Sequence, residues 1–356
     1  MACPSSVRIC DCTIRDGGLV NDSQFSPKMV RRIYQALSSA GVDIIELGYK
    51  NSKKMVDPKR YGSWRFCDED LLSGVVMGID PSAKLAIMQD AHKADAADLL
   101  PKADSVIDIV RIATYVKDIE KAILLENSAS YKGYQTTINI MAISHESDPE
   151  IKKVLRKISK ETNVIACYIV DSFGSFYPGD IDHYFELFKA NLDGIEIGVH
   201  CHNQQQLAFA NTLRSADKGA TYLDGTLYGL GRAAGNCPME LLAGALKNSH
   251  LDMKPLIDVI GKEILPLRKK IHWGYAISHA LTGILNLHPK PAIEHMELPE
   301  DSIEKYEFVG LFDQLMQNEA LKSQDVFDYN LIKNSEINQT LQPDSHINMQ
   351  LKPSGT

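Results

Sequence analysis

Two histidines separated by one residue, His200 and His202, lie at the end of an apolar stretch that begins at Asp193. The stretch has the composition of a buried β-strand, in which side chains alternate between faces. Both imidazoles should therefore point the same way, about 7 Å apart along the strand, and can converge on one metal ion. A lone histidine here would more simply hydrogen-bond within the core, whereas the pair favours a metal site.

The composition is that of an ordinary globular protein and excludes several classes of function. The chain has 356 residues, of which 44% are hydrophobic and 24% charged, and its net charge is −8. A negative net charge argues against a general nucleic-acid binder. No apolar run approaches the roughly 20 residues that a membrane span needs. We therefore expect neither nucleic acid nor membrane as a partner.

Seven cysteines and the amino terminus indicate the compartment. The number of cysteines is odd and several lie in strand-like segments, which is typical of reduced thiols. The first six residues also lack the basic and apolar regions of a signal peptide. These features predict a cytoplasmic protein.

Eight apolar segments with the length of strands follow one another along the chain, separated by amphipathic helical patterns. They are 7–14, 42–48, 84–88, 105–112, 136–143, 164–170, 193–202 and 221–227. Such an alternation predicts an α/β protein with a parallel sheet. Eight units favour a closed (β/α)8 TIM barrel. An open doubly wound sheet is the alternative, but no Gly-x-Gly-x-x-Gly follows the first strand.

The pattern also predicts the domain organisation. We expect a TIM-barrel catalytic domain over 1–252, a helical extension over 253–332 and a mobile polar tail over 333–356. Within the barrel, His92–Leu100 is predicted as a helix, and a locally basic loop, Lys50–Arg60, follows the second strand.

Catalytic residues of a TIM barrel lie where strands end, at the carboxyl face. Chemistry-bearing residues recur at those positions; they are Arg15, Asp16, Glu46, Arg111, Asp171, Ser172, His200 and His202. Asp16 with the two histidines forms a mixed nitrogen and oxygen ligand set with positions left for water and substrate. Such a set accepts Mn²⁺, Mg²⁺, Fe²⁺, Co²⁺ or Zn²⁺, and the carboxylate without thiolates favours Mn²⁺ or Mg²⁺.

Two of these positions have a second interpretation. Arg111 is either a substrate-binding group or the ion-pair partner of Glu46 inside the barrel. Asp171, followed by Ser172, either contacts substrate or accepts hydrogen bonds from the turn that follows it.

Several motifs resemble one superfamily of metal-dependent barrels. Residues 11–17, Asp-Cys-Thr-Ile-Arg-Asp-Gly, are similar to its Asp-x-Thr-x-Arg-Asp-Gly signature, and 200–203 fit its metal motif. The superfamily includes hydroxymethylglutaryl-CoA lyase, isopropylmalate and homocitrate synthases and 4-hydroxy-2-oxovalerate aldolase. The glycine-rich segment 229–240 and the Trp-Gly-Tyr at 273–275 most resemble the aldolase branch.

The resemblance implies roles for individual residues. The metal would chelate the carboxylate and keto oxygens of a 2-oxo acid, and Arg15 would place a positive charge beside the enolate oxygen. Asn236 would be a weaker ligand or would hold one. Glu46 would act in acid/base chemistry or support the metal, and Tyr275 would transfer a proton to the substrate hydroxyl.

One position departs from the aldolase branch. That branch has a catalytic histidine four residues after the signature arginine, where this chain has Leu19. The general base is therefore open among five residues, which are Asn21, Asp22, Glu46, Tyr275 and His279. The synthases commonly have Glu-Gln after the Asp-Gly, and this chain has Gly18 and Leu19 there.

The predicted function is a divalent-metal-dependent aldolase that acts on a 2-oxo acid through a pyruvate-type enolate. The alternatives are a Claisen-type synthase or lyase that handles acyl-CoA, and a non-catalytic barrel that serves as a scaffold. We expect a homo-oligomer, and the resemblance to the aldolase branch adds an aldehyde dehydrogenase as a partner.

Overall fold

Eight parallel strands close into a barrel in this computed structural model, which describes residues 7–79, 82–246 and 250–322. The strands are β1 (Arg8–Asp11), β2 (Ile44–Tyr49), β3 (Lys84–Asp90), β4 (Ile109–Thr114), β5 (Gln135–Ile140), β6 (Ala166–Asp171), β7 (Glu196–Cys201) and β8 (Tyr222–Gly225). Each strand pairs with the next along the chain, and β1 pairs with β8 to close the ring. The predicted TIM barrel is confirmed.

Thirteen α-helices lie within the described part of the chain. They are α1 (Thr13–Gly17), α2 (Pro27–Ser39), α3 (Glu69–Val76), α4 (Ile119–Tyr131), α5 (Asp148–Glu161), α6 (Pro178–Lys189), α7 (Ala208–Lys218), α8 (Met239–Ala245), α9 (Met253–Val259), α10 (Leu265–Arg268), α11 (Ile277–Ile284), α12 (Lys290–Met296) and α13 (Phe308–Lys322). Among these described helices, none has the length and apolar character needed to cross a bilayer.

The alternation of side chains along each strand divides the core into two layers. On β2, Ile45 and Leu47 are buried in the large apolar layer between strands and helices. Glu46, between them, points into the barrel, where it is fully buried. The interior is therefore partly polar, and charged groups must be satisfied by one another.

One local prediction is wrong. His92–Leu100 is not an α-helix but turns with a short 3-10 segment, Ala96–Asp98. The Asp95 side chain accepts a hydrogen bond from the backbone N–H of Ala97 at 2.9 Å, which competes with helical pairing, and Pro101 follows. After the basic loop, where the sequence pattern gave no bounds for a helix, the chain forms α3.

The segment directly after β1 carries two of the predicted site residues. It forms the one-turn helix α1, which contains Arg15 and Asp16. Both Arg15 and Asp16 are buried on this helix, so the short helix aims them into the barrel mouth rather than along the surface.

A β-bulge near the end of β2 changes which side chain enters the barrel. The pairing with β3 shifts register between Glu46 and Tyr49, and such a bulge re-aims the side chains beyond it. Simple alternation from Glu46 would send Tyr49 outward, but Tyr49 packs inside the mouth. Gly48 permits the bulge, because a Cβ there would lie 2.2 Å from the carbonyl oxygen of Trp64.

Beyond the barrel, α9 and α10 are joined by one π-helical turn, Ile260–Ile264. Pro266 follows two residues later and cannot donate a backbone hydrogen bond, so the wider turn relieves the helix before the proline. The chain divides into two units, Met1–Leu315 and Met316–Thr356. The predicted tail, 333–356, lies outside the described residues.

Candidate metal centre and active site

Asp16, His200 and His202 come together at the carboxyl end of the barrel. One ligand atom from each residue lies within 4.8 Å of those of the other two. The Nε2 atom of His202 is 3.7 Å from Oδ2 of Asp16. All three side chains are buried. The strand alternation that was expected at β7 therefore does bring both imidazoles to one point.

Each histidine is fixed through its other ring nitrogen. Nδ1 of His200 donates to Oδ2 of Asp224 at 2.9 Å, and Nδ1 of His202 donates to the carbonyl oxygen of Asp171 at 2.9 Å. These bonds set the tautomer, so that Nε2 of each ring carries a lone pair. A hydrogen-bonded second nitrogen is the usual support of a metal-binding histidine.

Three atoms that could donate a lone pair to a metal ion have no hydrogen-bond partner among the described residues. Nε2 of His200, Nε2 of His202 and Oδ1 of Asn236 are buried without a hydrogen bond. Buried polar atoms are normally paired, so three orphaned lone pairs around one carboxylate are the donor set of a cation site. The residues present therefore fit a divalent metal ion.

Asn236 reaches the centre from the glycine-rich loop after β8. Its Nδ2 donates to Oδ2 of Asp16, which leaves Oδ1 as its free acceptor. Gly231 allows this approach, because a Cβ at that position would lie 2.1 Å from Nδ2 of Asn236 and 2.8 Å from Oδ2 of Asp16. The glycine thus permits the close packing of amide and carboxylate.

The ionisation states suit a cation site. Burial acts to raise the pKa of Asp16, but the Arg15 guanidinium, the two histidines and the Asn236 amide together outweigh it and hold that pKa below the usual range. Burial lowers the pKa of His202 to about 3, against the opposing effect of Asp16. At neutral pH the site thus presents a carboxylate and a neutral imidazole, the forms that bind metal.

A chain of buried ion pairs links the two sides of the centre. Arg15 donates from Nη1 to Asp16 at 2.8 Å and from Nε to Oε2 of Glu46 at 2.7 Å. Arg111 donates to the same Glu46 oxygen at 3.0 Å and to Oδ2 of Asp224 at 2.6 Å. Because Asp224 also holds His200, one network orients a metal ligand and Arg15 together.

A second group of potential ligands lies below this network. Cys10, Cys12 and Asp224 are close enough to share an ion. However, Nη1 of Arg111 already lies 3.3 Å from Sγ of Cys10 and 3.2 Å from Sγ of Cys12. Burial raises the pKa of both thiols, so they pack around the guanidinium in the protonated form, which is not the form that binds metal.

The structure gives several predicted site residues a supporting place. Asp171 accepts hydrogen bonds from the backbone N–H groups of Ser175 and Phe176 at 2.9 and 3.2 Å, which is the turn-capping interpretation. The hydroxyl of Ser172 accepts from the N–H of Ala142 at 2.8 Å. Arg111 is buried among ion pairs, as the structural interpretation expected. Contact of these three residues with substrate stays a prediction.

Tyr275 lies at the edge of the site. The N–H of Gly274 donates to the carbonyl oxygen of Ala233 at 3.0 Å, so this segment joins the glycine-rich loop. The Tyr275 side chain is 64% exposed. Its proposed proton transfer stays a prediction.

Leu19, which stands where the aldolase branch has histidine, belongs to an apolar cluster. It packs with Tyr49, Met88, Ala113 and Met141. These residues come from β1 to β5 and the loops that follow them, so the cluster lines the opposite side of the ring from β7.

Three residues of interest were missed by the sequence analysis. Asp224 was missed because it faces the barrel interior one residue before its strand ends, and site residues were expected only at the strand ends. Tyr49 was missed because the bulge reverses the alternation. Arg65 lies in the loop after β2, 4.8 Å from the centre of the Tyr49 ring. Its place after a strand is the one feature of the sequence that could have marked it as a candidate site residue.

Residues 75–261 match the HMGL-like family. The chain is also 31% identical over 263 residues to an oxaloacetate decarboxylase from Mycobacterium tuberculosis, covering 72% of this chain and 76% of that protein. The chain belongs to the HMGL-like family. The resemblance predicted from the motifs is therefore confirmed.

Other relatives of this HMGL-like barrel are aldolases by name. A 4-hydroxy-2-oxovalerate aldolase from Carboxydothermus hydrogenoformans is 31% identical over 268 residues, which is 74% of this chain and 79% of that protein. The predicted enzyme class, a lyase of the aldolase type, is confirmed by these relatives.

Solved structures share the fold. The N-terminal domain of a Bacteroides vulgatus protein superposes with a TM-score of 0.73 at 28% identity, covering 83% of this chain and 99% of that one. The HMG-CoA lyase from Brucella melitensis has a TM-score of 0.62 at 17% identity, with 75% and 100% covered. The second likeness shows the barrel fold alone.

Proposed function

We propose that this HMGL-like barrel is a divalent-metal-dependent aldolase that cleaves or forms a bond next to the keto group of a 2-oxo acid, through a pyruvate-type enolate. The observation that carries the proposal is the buried set of Asp16, His200 and His202. The Nε2 atoms of both histidines have no hydrogen-bond partner and lie near the Asp16 carboxylate, which is paired with Arg15. Mn²⁺ and Mg²⁺ are the favoured ions, with Co²⁺, Fe²⁺ and Zn²⁺ as alternatives.

The chain supplies the metal ligands, a fixed positive charge and a candidate proton-transfer group. A divalent ion bound at this centre supplies Lewis-acid polarisation of the 2-oxo group. Arg15 is held by Asp16 and Glu46 and is thus fixed before substrate arrives, so its positive charge meets the developing enolate without reorganisation. The unpartnered Oε1 of Glu46 keeps that carboxylate a candidate for proton transfer.

A second reaction is favoured by Leu19 and by the similarity to the mycobacterial decarboxylase. Aldol cleavage requires a base to remove the proton of the substrate hydroxyl, and Leu19 cannot do so. Loss of CO₂ from a 3-carboxy-2-oxo acid produces the same enolate without that step. We therefore propose decarboxylation of such an acid as the second candidate, tested by pyruvate formation from oxaloacetate above the rate of the metal ion alone.

The partners and location follow from the same proposal. The substrate is a small 2-oxo acid, and we propose a homo-oligomer that pairs with an aldehyde dehydrogenase, as the aldolase branch implies. Six cysteines at described positions are free and buried, which supports the proposed cytoplasmic location.

The test is metal-dependent exchange of pyruvate methyl protons in D₂O, followed by NMR. We expect exchange in the wild type. His200→Ala and His202→Ala should lose bound metal and exchange together, because each removes an Nε2 donor. Arg15→Ala should retain metal but lose rate by roughly 10²–10³-fold, the effect of a missing oxyanion donor.

Two outcomes would contradict the proposal. Unchanged metal content in both histidine variants would show that the ion binds elsewhere. Absence of exchange in the metal-loaded wild type would exclude the enolate chemistry.

A further inference from the structure

Arg65 is a buried cation without an acidic partner. Its side chain is only 8% exposed. Among the residues that the structure describes, its guanidinium makes no hydrogen bond or ion pair, and its Nε is buried and unsatisfied. Instead, the guanidinium lies over two aromatic rings, 4.8 Å from the centre of Tyr49 and 4.7 Å from the centre of Tyr61. A buried charge of this kind is costly unless a counter-charge is supplied.

The position of Arg65 is set by the β2 bulge. Tyr49 is turned into the barrel mouth and packs with Leu19 and Met88, so Arg65 is separated from that apolar cluster by a single ring. Burial raises the pKa of the Tyr49 hydroxyl, while Arg15 and Arg65 both act to lower it, so both cations lie within electrostatic range of that hydroxyl.

The nearby carboxylates are already neutralised by other cations. Glu46 accepts from Arg15 and Arg111. Asp90 pairs with Lys93 at 2.7 Å, and Asp68 pairs with Lys53 at 2.6 Å. Within the described residues, the protein itself therefore leaves Arg65 without a counter-ion, while its guanidinium packs against two tyrosine rings.

We propose that Arg65 binds a second carboxylate of the substrate, so that the electrophile released or captured in the reaction is an anionic aldehyde or keto acid. This inference rests on the proposed function and assigns it a substrate class. The 2-oxo acid end is bound on the β7 side, beside Asp16, and the second carboxylate on the β2 side, beside Tyr49.

The chemistry of the group supports this assignment. A guanidinium presents paired N–H donors in a plane that matches a carboxylate, and stacking on aromatic rings leaves that edge free. A carboxylate held by a cation is stabilised and leaves poorly as CO₂. The anchored carboxylate is therefore retained on the electrophile rather than lost.

The test compares two substrates that differ only in the group attached to C4. We expect the wild type to cleave 4-hydroxy-2-oxoglutarate, which ends in a carboxylate, with a higher kcat/KM than 4-hydroxy-2-oxovalerate, which ends in a methyl group. Arg65→Met should lower the ratio of the two kcat/KM values about 10–100-fold, mainly through KM of the dicarboxylate, because a charged hydrogen bond is lost. Arg65→Lys should lower it less.

Arg60→Met is the matched control. Arg60 is exposed and lies 5.1 Å from the centre of the Tyr61 ring, so the variant removes the same charge from the same loop. We expect the substrate ratio to stay within about twofold. Thermal melting of each variant shows whether it is folded, and Arg65→Lys keeps the test valid if Arg65→Met does not fold.

The outcomes separate this proposal from the one on which it rests. Two results would overturn the role of Arg65 and leave the aldolase proposal standing, provided that the wild type exchanges pyruvate protons. One is a wild-type preference for the methyl substrate. The other is an equal loss of kcat/KM for both substrates in Arg65→Met and Arg65→Lys. Absence of pyruvate exchange would overturn the aldolase proposal itself.

Discussion

Asp224 is the residue on which both halves of the site depend. It holds Nδ1 of His200 and accepts from Arg111, which in turn reaches Glu46 and, through it, Arg15. Burial acts to raise the pKa of Asp224, but Arg111 and His200 hold that pKa below the usual range. Its charge therefore balances a buried guanidinium while it fixes the ring of a proposed metal ligand.

We expect Asp224→Asn to weaken metal binding about 10–100-fold, the usual effect of losing such a support. The amide would present N–H donors toward Arg111 and would leave that cation with Glu46 alone. The measurement is titration with Mn²⁺ against a competing chelator. Asp182→Asn is the control, because Asp182 forms a similar pair with Arg214 on the surface, at 2.7 Å. Equal affinities of folded Asp224→Asn and wild type would contradict the role.

The sequence was sufficient to place the centre but not its surroundings. Asp16, His200 and His202 could be predicted because strand ends meet at one face of a barrel. Asp224 and the ion pairs of Arg111 could not, because their burial depends on which interior positions face one another across the ring. The role of Arg65 depends on how the neighbouring acids are paired, which no local pattern expresses.

At the scale of elements, the end of β2 determines the shape of the mouth. The register shift before Tyr49 turns an aromatic ring inward, and this ring supports Arg65. The periodicity of the sequence predicted the strand but not the bulge. The wrong helix at His92–Leu100 has a similar origin, because a side-chain hydrogen bond to Asp95 overrode an apolar pattern.

We expect Gly48→Ala to destabilise the fold by about 1–3 kcal/mol, the usual cost of overpacking, and to lower activity by moving Tyr49. The new Cβ would lie 2.2 Å from the carbonyl oxygen of Trp64. Chemical denaturation measures the effect. Gly74→Ala in α3 is the control, since its new Cβ would meet no described atom within 4 Å, and it should stabilise by roughly 0.5–1 kcal/mol. Equal stability of Gly48→Ala and wild type would contradict the argument.

At the scale of the whole molecule, stability also depends on a carboxyl group far from the site. Glu126 of α4 is buried beneath the helix, where it accepts from the Thr136 hydroxyl at 2.7 Å and from the N–H of Asn163 at 3.3 Å. Burial raises its pKa above the usual value. The folded protein therefore binds this proton more tightly than the unfolded chain, and its stability falls as pH rises through the raised pKa.

We expect Glu126→Gln to remove this dependence. The melting temperature of the variant minus that of the wild type should be larger at about pH 8 than at about pH 4.5, because the raised pKa favours the protonated wild-type carboxyl group at the lower pH. Differential scanning calorimetry at both values measures it. Glu297→Gln, at an exposed position, is the control and should show the same difference at both pH values. The same difference in melting temperature between Glu126→Gln and wild type at both pH values would contradict a raised pKa of Glu126.

The ligand set also determines when during synthesis the protein can take up its ion. Asp16 and Asn236, which touch in the finished barrel, are 220 residues apart in the chain, and the pair of histidines lies between them. During synthesis, Asp16 therefore emerges from the ribosome long before the residues that complete the site. The complete set of proposed ligands therefore forms only when β8 pairs with β1 and closes the ring.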